Sequence, residues 1–214
     1  MNTQKRDRMQ WLGLLGVLGF LSFTAAVVFA PLAYPGYNWV TQAVSDLSAA
    51  NAPSRMLWAR LSTLSTVCGI VTVTLVFLFI QGKTTRPIRI GVYLFVLMQW
   101  ISAVGYGMFP LSDSGYAGTF TDIMHLYVVT IPVVLLSIAS MVFLMVGGFR
   151  DKRYRSLAVW ATVALLMMFI GAIGTPVLPQ YFGIAERLSV FSAMGFIAVL
   201  GVYLFLGFKG KQTA

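Results

Sequence analysis

Residues 123–178 read IMHLYVVTIPVVLLSIASMVFLMVGGF, then RDKRYR, then SLAVWATVALLMMFIGAIGTPVL. Two apolar runs, each at or beyond the roughly 20 residues needed to cross a bilayer as a helix, flank a short turn. That turn carries Arg150, Lys152, Arg153 and Arg155. This is a hairpin of two membrane spans folded about a basic loop. Further runs of the same kind occupy residues 11–34, 56–80, 90–109 and 185–208, which makes six spans. The reading is an all-α polytopic membrane bundle of six transmembrane helices, forming one integral membrane domain over 1–214.

Composition agrees. Of the 214 residues, 58% are hydrophobic and 10% charged, whereas a soluble domain carries about 25% charged residues. A water-soluble globule of this size lacks the polar surface to coat itself. The first run follows Lys5, Arg6 and Arg8 as a signal peptide would. It is longer than a signal h-region, and Pro31 and Pro35 stand where a small-residue cleavage site is expected. A retained helix is the better reading.

The net charge of +9 does not point to nucleic acid, because the basic residues are confined to short clusters between apolar runs. Lys5, Arg6 and Arg8 precede the first span. Lys83, Arg86 and Arg89 lie between the second and third, and the Arg150–Arg155 cluster lies between the fourth and fifth. Lys209 and Lys211 follow the sixth. Only Arg55, Arg60 and Arg187 fall on the other side. The excess of cytoplasmic Lys and Arg in membrane proteins then predicts both termini in the cytoplasm, and a multi-pass protein of the cell membrane. Cys68 is the only cysteine, so no intramolecular disulfide forms.

The first outward loop is the longest. Trp39, Val40, Ala43, Val44 and Leu47 recur there at helical spacing, with Thr41, Gln42, Ser45 and Ser48 between them. This predicts a short amphipathic helix lying in the interface, with Trp39, Tyr34 and Tyr37 in an aromatic belt. Pro31, Pro35, Pro110, Pro176 and Pro179 stop the outgoing helices.

Asp46, Asp113, Asp122 and Glu186, four of the six acids, gather at the outer ends of the helices with His125, the only histidine. Asp122 and His125, three residues apart, share a helical face. The pair would fix a tautomer, hold a ligand, or act as general acid and base. The plainer reading is an N-terminal cap beside an interfacial histidine. Arg187 opens the sixth span, where the helix dipole opposes a cation, so it requires an acidic partner or an anionic ligand. Arg60 faces the same problem unless it snorkels outward. Asp46, Arg60, Asp113, Asp122, His125, Glu186 and Arg187 are thus the candidate ligand-binding residues, and Asp122 and His125 the candidate catalytic ones. With three inward-running helices starting there and turning their N-termini towards it, they frame a pocket suited to an anion such as a lipid phosphate.

Gly13, Gly16, Gly19, Gly195 and Gly201 read as close helix packing, and Gln99 and Ser102 as hydrogen bonds across the bundle. No Cys/His metal spacing, Gly-rich phosphate loop or nucleophile elbow is present. No metal is therefore expected, and the cofactor and oligomeric state stay open.

Several short motifs recur in order. They are Gln42-Ala-Val-Ser45-Asp46-Leu47, Gly107-Met-Phe-Pro110-Leu-Ser-Asp113, the following His125, and Glu186-Arg187. Together they resemble the prokaryotic six-helix membrane proteins grouped as the domain-of-unknown-function 998 family, over nearly the whole chain. The resemblance implies a multi-pass protein with polar residues gathered on one face, and supplies no activity. A looser similarity to the alkaline ceramidase and progestin-receptor-like membrane hydrolases fails on chemistry, because their zinc site needs three histidines. Three functional classes follow: binding of a membrane lipid headgroup or small anion, a membrane-embedded enzyme acting on a lipid, and a structural or assembly partner.

Overall fold

A computed structural model describes residues 6–208. Lys5, Lys209 and Lys211, counted among the basic clusters above, lie outside them. The six spans are helices α1 (Leu14–Phe29), α2 (Arg55–Phe79), α3 (Arg86–Met108), α4 (Phe120–Arg150), α5 (Arg155–Val177) and α6 (Phe182–Phe205). All six are long and apolar enough to cross a membrane. A single turn, Arg8–Leu12, precedes α1 under a capping box made by Asp7 and Gln10. At the far end of α1 the chain tightens into a 3₁₀ turn, Ala30–Ala33, which contains Pro31. Pro110 follows the end of α3 in the same way, and Pro176 lies in the last turn of α5.

Each helix packs on the next, α6 closes the ring against α1, and α2 also touches α6. The start of the first span therefore lies beside the end of the last, with the Trp11 and Phe205 rings 5.1 Å apart. The side of the bundle holding these two is called the terminal end, and the opposite side the loop end.

Glycine makes the closure. A β-carbon on Gly13 would overlap the carbonyl oxygen of Gly201, and one on Gly201 would overlap that of Gly13. A β-carbon on Gly16 would sit 2.8 Å from the Ile197 carbonyl oxygen. In lipid no hydrophobic force draws helices together, so close backbone approach through small residues does this work. Gly195 differs from expectation, since its nearest neighbour would be the edge of the Phe20 ring at 3.7 Å.

The apolar core runs from the terminal end to mid-bundle. It includes Ile80, Ile88, Leu144, Leu157 and Leu204, and ends about where Phe95 meets Phe196 edge-to-face at 5.5 Å. Cross-helix hydrogen bonds fall elsewhere than expected. Gln99 and Ser102 make none among the described residues. Instead Ser140 Oγ donates to the Gly91 carbonyl at 2.8 Å, and Ser22 Oγ donates to the Leu61 carbonyl. Ser22 also accepts from the Ser65 amide, so it is inserted where α2 would otherwise bond to itself.

The loop end is filled by the first loop, residues 34–54. The amphipathic helix expected there is not formed. The segment runs through turns into one 3₁₀ turn, Ser45–Ser48. Of the apolar residues that recur at helical spacing, Ala43, Val44 and Leu47 turn into the bundle, whereas Trp39 stays exposed. Val44 packs with Phe23 and Val27, and Leu47 and Ala49 are fully buried. Tertiary hydrogen bonds replace the helical ones.

Candidate functional site

Two carboxylates and one guanidinium hold the first loop in place. Asp46 closes the loop on itself, its Oδ2 accepting from the Ala43 amide at 3.0 Å. Its Oδ1 accepts from the Gly115 amide at 2.9 Å, in the turn between α3 and α4. Glu186 accepts from the Val44 amide and, at 3.3 Å, from the Ser45 hydroxyl. Loop amides that would be unsatisfied in a membrane setting thus acquire charged acceptors from distant parts of the chain.

Arg187 does the converse job. Its Nη1 donates to the carbonyls of Trp39 at 2.7 Å, Gln42 at 3.0 Å and Gly183 at 2.8 Å, and its Nη2 donates to the Tyr37 hydroxyl at 2.7 Å. The Gly183 amide, an orphan donor at the start of α6, donates to the Val40 carbonyl at 2.9 Å. The backbone comes this close because residue 183 is glycine. A β-carbon there would strike the carbonyl oxygens of Trp39 and Gln42. The sequence predicts an acidic partner or an anion for Arg187. The structure supplies neutral carbonyls, whose partial negative charge answers the guanidinium and offsets the unfavourable dipole. Burial pushes the Tyr37 phenol up to about 12, even though the Arg187 guanidinium pulls it down.

Beside this clamp lies a second group. Thr119 and Asp122 form a capping box at the start of α4. Asp122 is fully buried, and its carboxylate accepts from the Ser112 amide at 2.8 Å, the Ser112 hydroxyl at 2.9 and 3.0 Å, and the Thr119 amide at 3.0 Å. Asp122 therefore serves the turn and does not hydrogen-bond His125. The capping reading of Asp122 is the one the geometry shows.

His125 stands on a π-helical stretch, Met124–Thr130, inside α4. Such stretches recur at functional sites. Pro132 just beyond supplies no amide to the ladder, and the Thr130 hydroxyl donates to the His125 carbonyl at 2.8 Å. The Tyr106 hydroxyl donates to Thr130 Oγ1 at 3.1 Å, and its ring lies 4.7 Å from the imidazole. His125 Nδ1 is 2.8 Å from the Phe109 carbonyl oxygen.

Asp46, Asp122, His125, Glu186 and Arg187 thus gather at the loop end, joined through the turn between α3 and α4. Arg60 and Asp113 do not join them. Arg60 is exposed on α2, and exposed Asp113 spends its carboxylate on the Ser114 amide. Among the described residues the one ion pair is Arg153 with Asp151, in the α4–α5 turn. The anion pocket framed by Arg60 and Arg187 is accordingly not what these side chains build. Among the described residues no three His, Cys, Asp or Glu side chains are grouped so that they could hold a metal ion.

Four residues of the site escape a reading of the sequence: Tyr37, which suits an aromatic belt, Ser112, Tyr106 and Gly183. Ser112 stood within the Pro110–Asp113 motif. Nothing local marks the others, because their partners are remote in sequence.

Beside the polar group an apolar groove of about 380 Å³ opens between α3 and α4, lined by Trp100, Ile101, Val104, Gly105, Phe109, Val128 and Val129. A second, of about 280 Å³, lies between α5 and α6 around Gly174 and Ile184.

The motif residues now form one connected structure, with Glu186-Arg187 gripping the segment Gln42–Asp46. The profile of a family described as protein of unknown function (DUF998) matches residues 17–203. The chain belongs to the DUF998 family. The match runs through all six spans and includes every element of the clamp. No curated protein and no solved structure matches the chain. DUF998 membership and the six spans make this a multi-pass membrane protein.

Proposed function

We propose that this protein holds a membrane lipid at the loop end, on the outer side of the cell membrane, with both termini in the cytoplasm. The observation that carries the reading is a continuity. The apolar groove between α3 and α4 reaches Phe109, and the Phe109 carbonyl holds His125. A lipid tail in the groove would place its headgroup at the polar group around His125. The bilayer supplies such an amphiphile at high local concentration. Orientation rests on the basic clusters at the terminal end.

The test is lipid retention by the full chain purified in mild detergent and read by native mass spectrometry. One phospholipid per chain is expected. Val104→Trp, which fills the groove from a half-exposed position, should remove it while the protein still melts cooperatively. A lipid-free protein, or a variant that retains the lipid, overturns the reading. Reporter fusions after Arg155 should read cytoplasmic, and one near Ser114 external. The opposite result overturns the orientation.

A further inference from the structure

We infer that the headgroup recognised at this site is a primary or partly substituted ammonium, donating a hydrogen bond to Nε2 of His125. The inference rests on the lipid reading above and narrows it to one headgroup chemistry.

The argument is a count of hydrogen-bond valences. A carbonyl oxygen only accepts, so the 2.8 Å contact between His125 Nδ1 and the Phe109 carbonyl puts the proton on Nδ1. A neutral ring then has one lone pair left, at Nε2. His125 is 94% buried, being 6% exposed, yet no described residue donates to that nitrogen.

The hydroxyls bonded around His125 and Asp122 are committed. The Tyr106 hydroxyl goes to Thr130 and the Thr130 hydroxyl to the His125 carbonyl. The Ser112 hydroxyl goes to Asp122. Buried polar groups are rarely left without a partner. Nε2 is also not among the fully enclosed unpartnered atoms, which are hydroxyls of Ser65, Thr72, Thr74, Thr84 and Thr85. The nitrogen can therefore be reached from outside the protein. What fits there is a donor. A phosphate or carboxylate oxygen would face a lone pair with a lone pair.

Charge selects among donors. Asp46, Asp122 and Glu186 lie at this end, and none of them forms an ion pair among the described residues. Arg187 spends its charge on neutral oxygens. The loop end thus holds three acidic side chains and one buried guanidinium, with buried Asp122 within one helical turn of His125. A hydroxyl headgroup would satisfy Nε2 alone, whereas an ammonium satisfies Nε2 and the local field together.

The full chain in mild detergent is titrated with dioleoyl lipids that share one tail and differ in headgroup, and binding is read by native mass spectrometry. The headgroups are ethanolamine, its mono- and dimethyl derivatives, choline and glycerol. Each of the first three keeps an N–H, and choline has none. A hydrogen bond to a charged donor corresponds to about a tenfold to hundredfold change in affinity, so binding should fall by at least about tenfold between dimethylethanolamine and choline. In His125→Phe that step should vanish while tail binding remains. If this variant does not fold, the methylation series on the native protein decides alone. Equal binding of ethanolamine and choline lipids, tighter binding of the glycerol lipid, or a step that survives in His125→Phe overturns the ammonium assignment and leaves lipid binding intact. Absence of binding by every lipid overturns the lipid reading and this inference with it.

Discussion

Arg187 Nη1 lies 2.7 Å from the carbonyl oxygen of Trp39, a residue 148 positions earlier in the chain. This contact ties the last span to the first loop, and with it the two ends of the family's motif set. Arg187 is 9% exposed, so its charge is desolvated and depends on its fork of oxygens. Arg187→Lys keeps the charge and loses the planar fork. Hydrogen bonds to charged groups contribute about 1.5–3 kcal/mol each, so a loss of at least that size is expected. The check is the melting temperature in detergent together with proteolysis of the first loop, which should become cleavable in the variant. Unchanged melting and an uncleaved loop would refute the clamp.

Gly183→Ala tests the same joint from the other side. The added methyl meets backbone oxygens of Trp39 and Gln42, which cannot rotate away as a side chain would. Overpacking of this kind costs about 1–3 kcal/mol. Gly195→Ala is the control, because only the Phe20 ring lies nearby. The first variant should melt well below the second.

Asp122→Asn preserves shape and should still destabilise. One carboxylate oxygen accepts from the Ser112 amide and the other from the Thr119 amide. An asparagine must turn its NH₂ towards one of those donors. Leaving a buried donor unsatisfied costs about 1–3 kcal/mol. A thermal melt checks this, and unchanged stability would show that the carboxylate has another role.

Tyr37 sets an alkaline limit. Its folded pKa is about 12 against an ordinary value of 10.0. The raised folded value means that its contribution is complete below the unfolded pKa. It is lost as pH rises from about 10 towards about 12. Over that window wild type should lose stability more steeply than Tyr37→Phe, and the difference between their pH–melting curves isolates this one phenol.

The six spans were legible because each is a continuous apolar run, a property of residues close in sequence. Asp122 as a helix cap was legible for the same reason, since Thr119 is three residues away. The first loop was not. Its apolar spacing suits a helix, but Asp46, Glu186 and Arg187 offer its backbone other partners, two of them from the far end of the chain. The position of Arg187 at a helix start predicts an acidic partner or an anion, and its partners are neutral oxygens instead. That the compensation comes from carbonyls is invisible in a sequence, where every residue carries the same backbone oxygen. Arg60 escaped the problem by facing outward.

The ring closed by Gly13 and Gly201 gives synthesis a definite order. Spans that enter the membrane one after another can pair with their predecessors at once, but α1 cannot meet its second partner until α6 has left the ribosome. The same late helix brings Glu186 and Arg187. Until then the first loop has neither its carboxylate nor its guanidinium, and the loop end stays unsealed. Sealing thus waits for α6, and a nascent chain cut short before α6 presents a loose first loop that quality-control proteases can recognise.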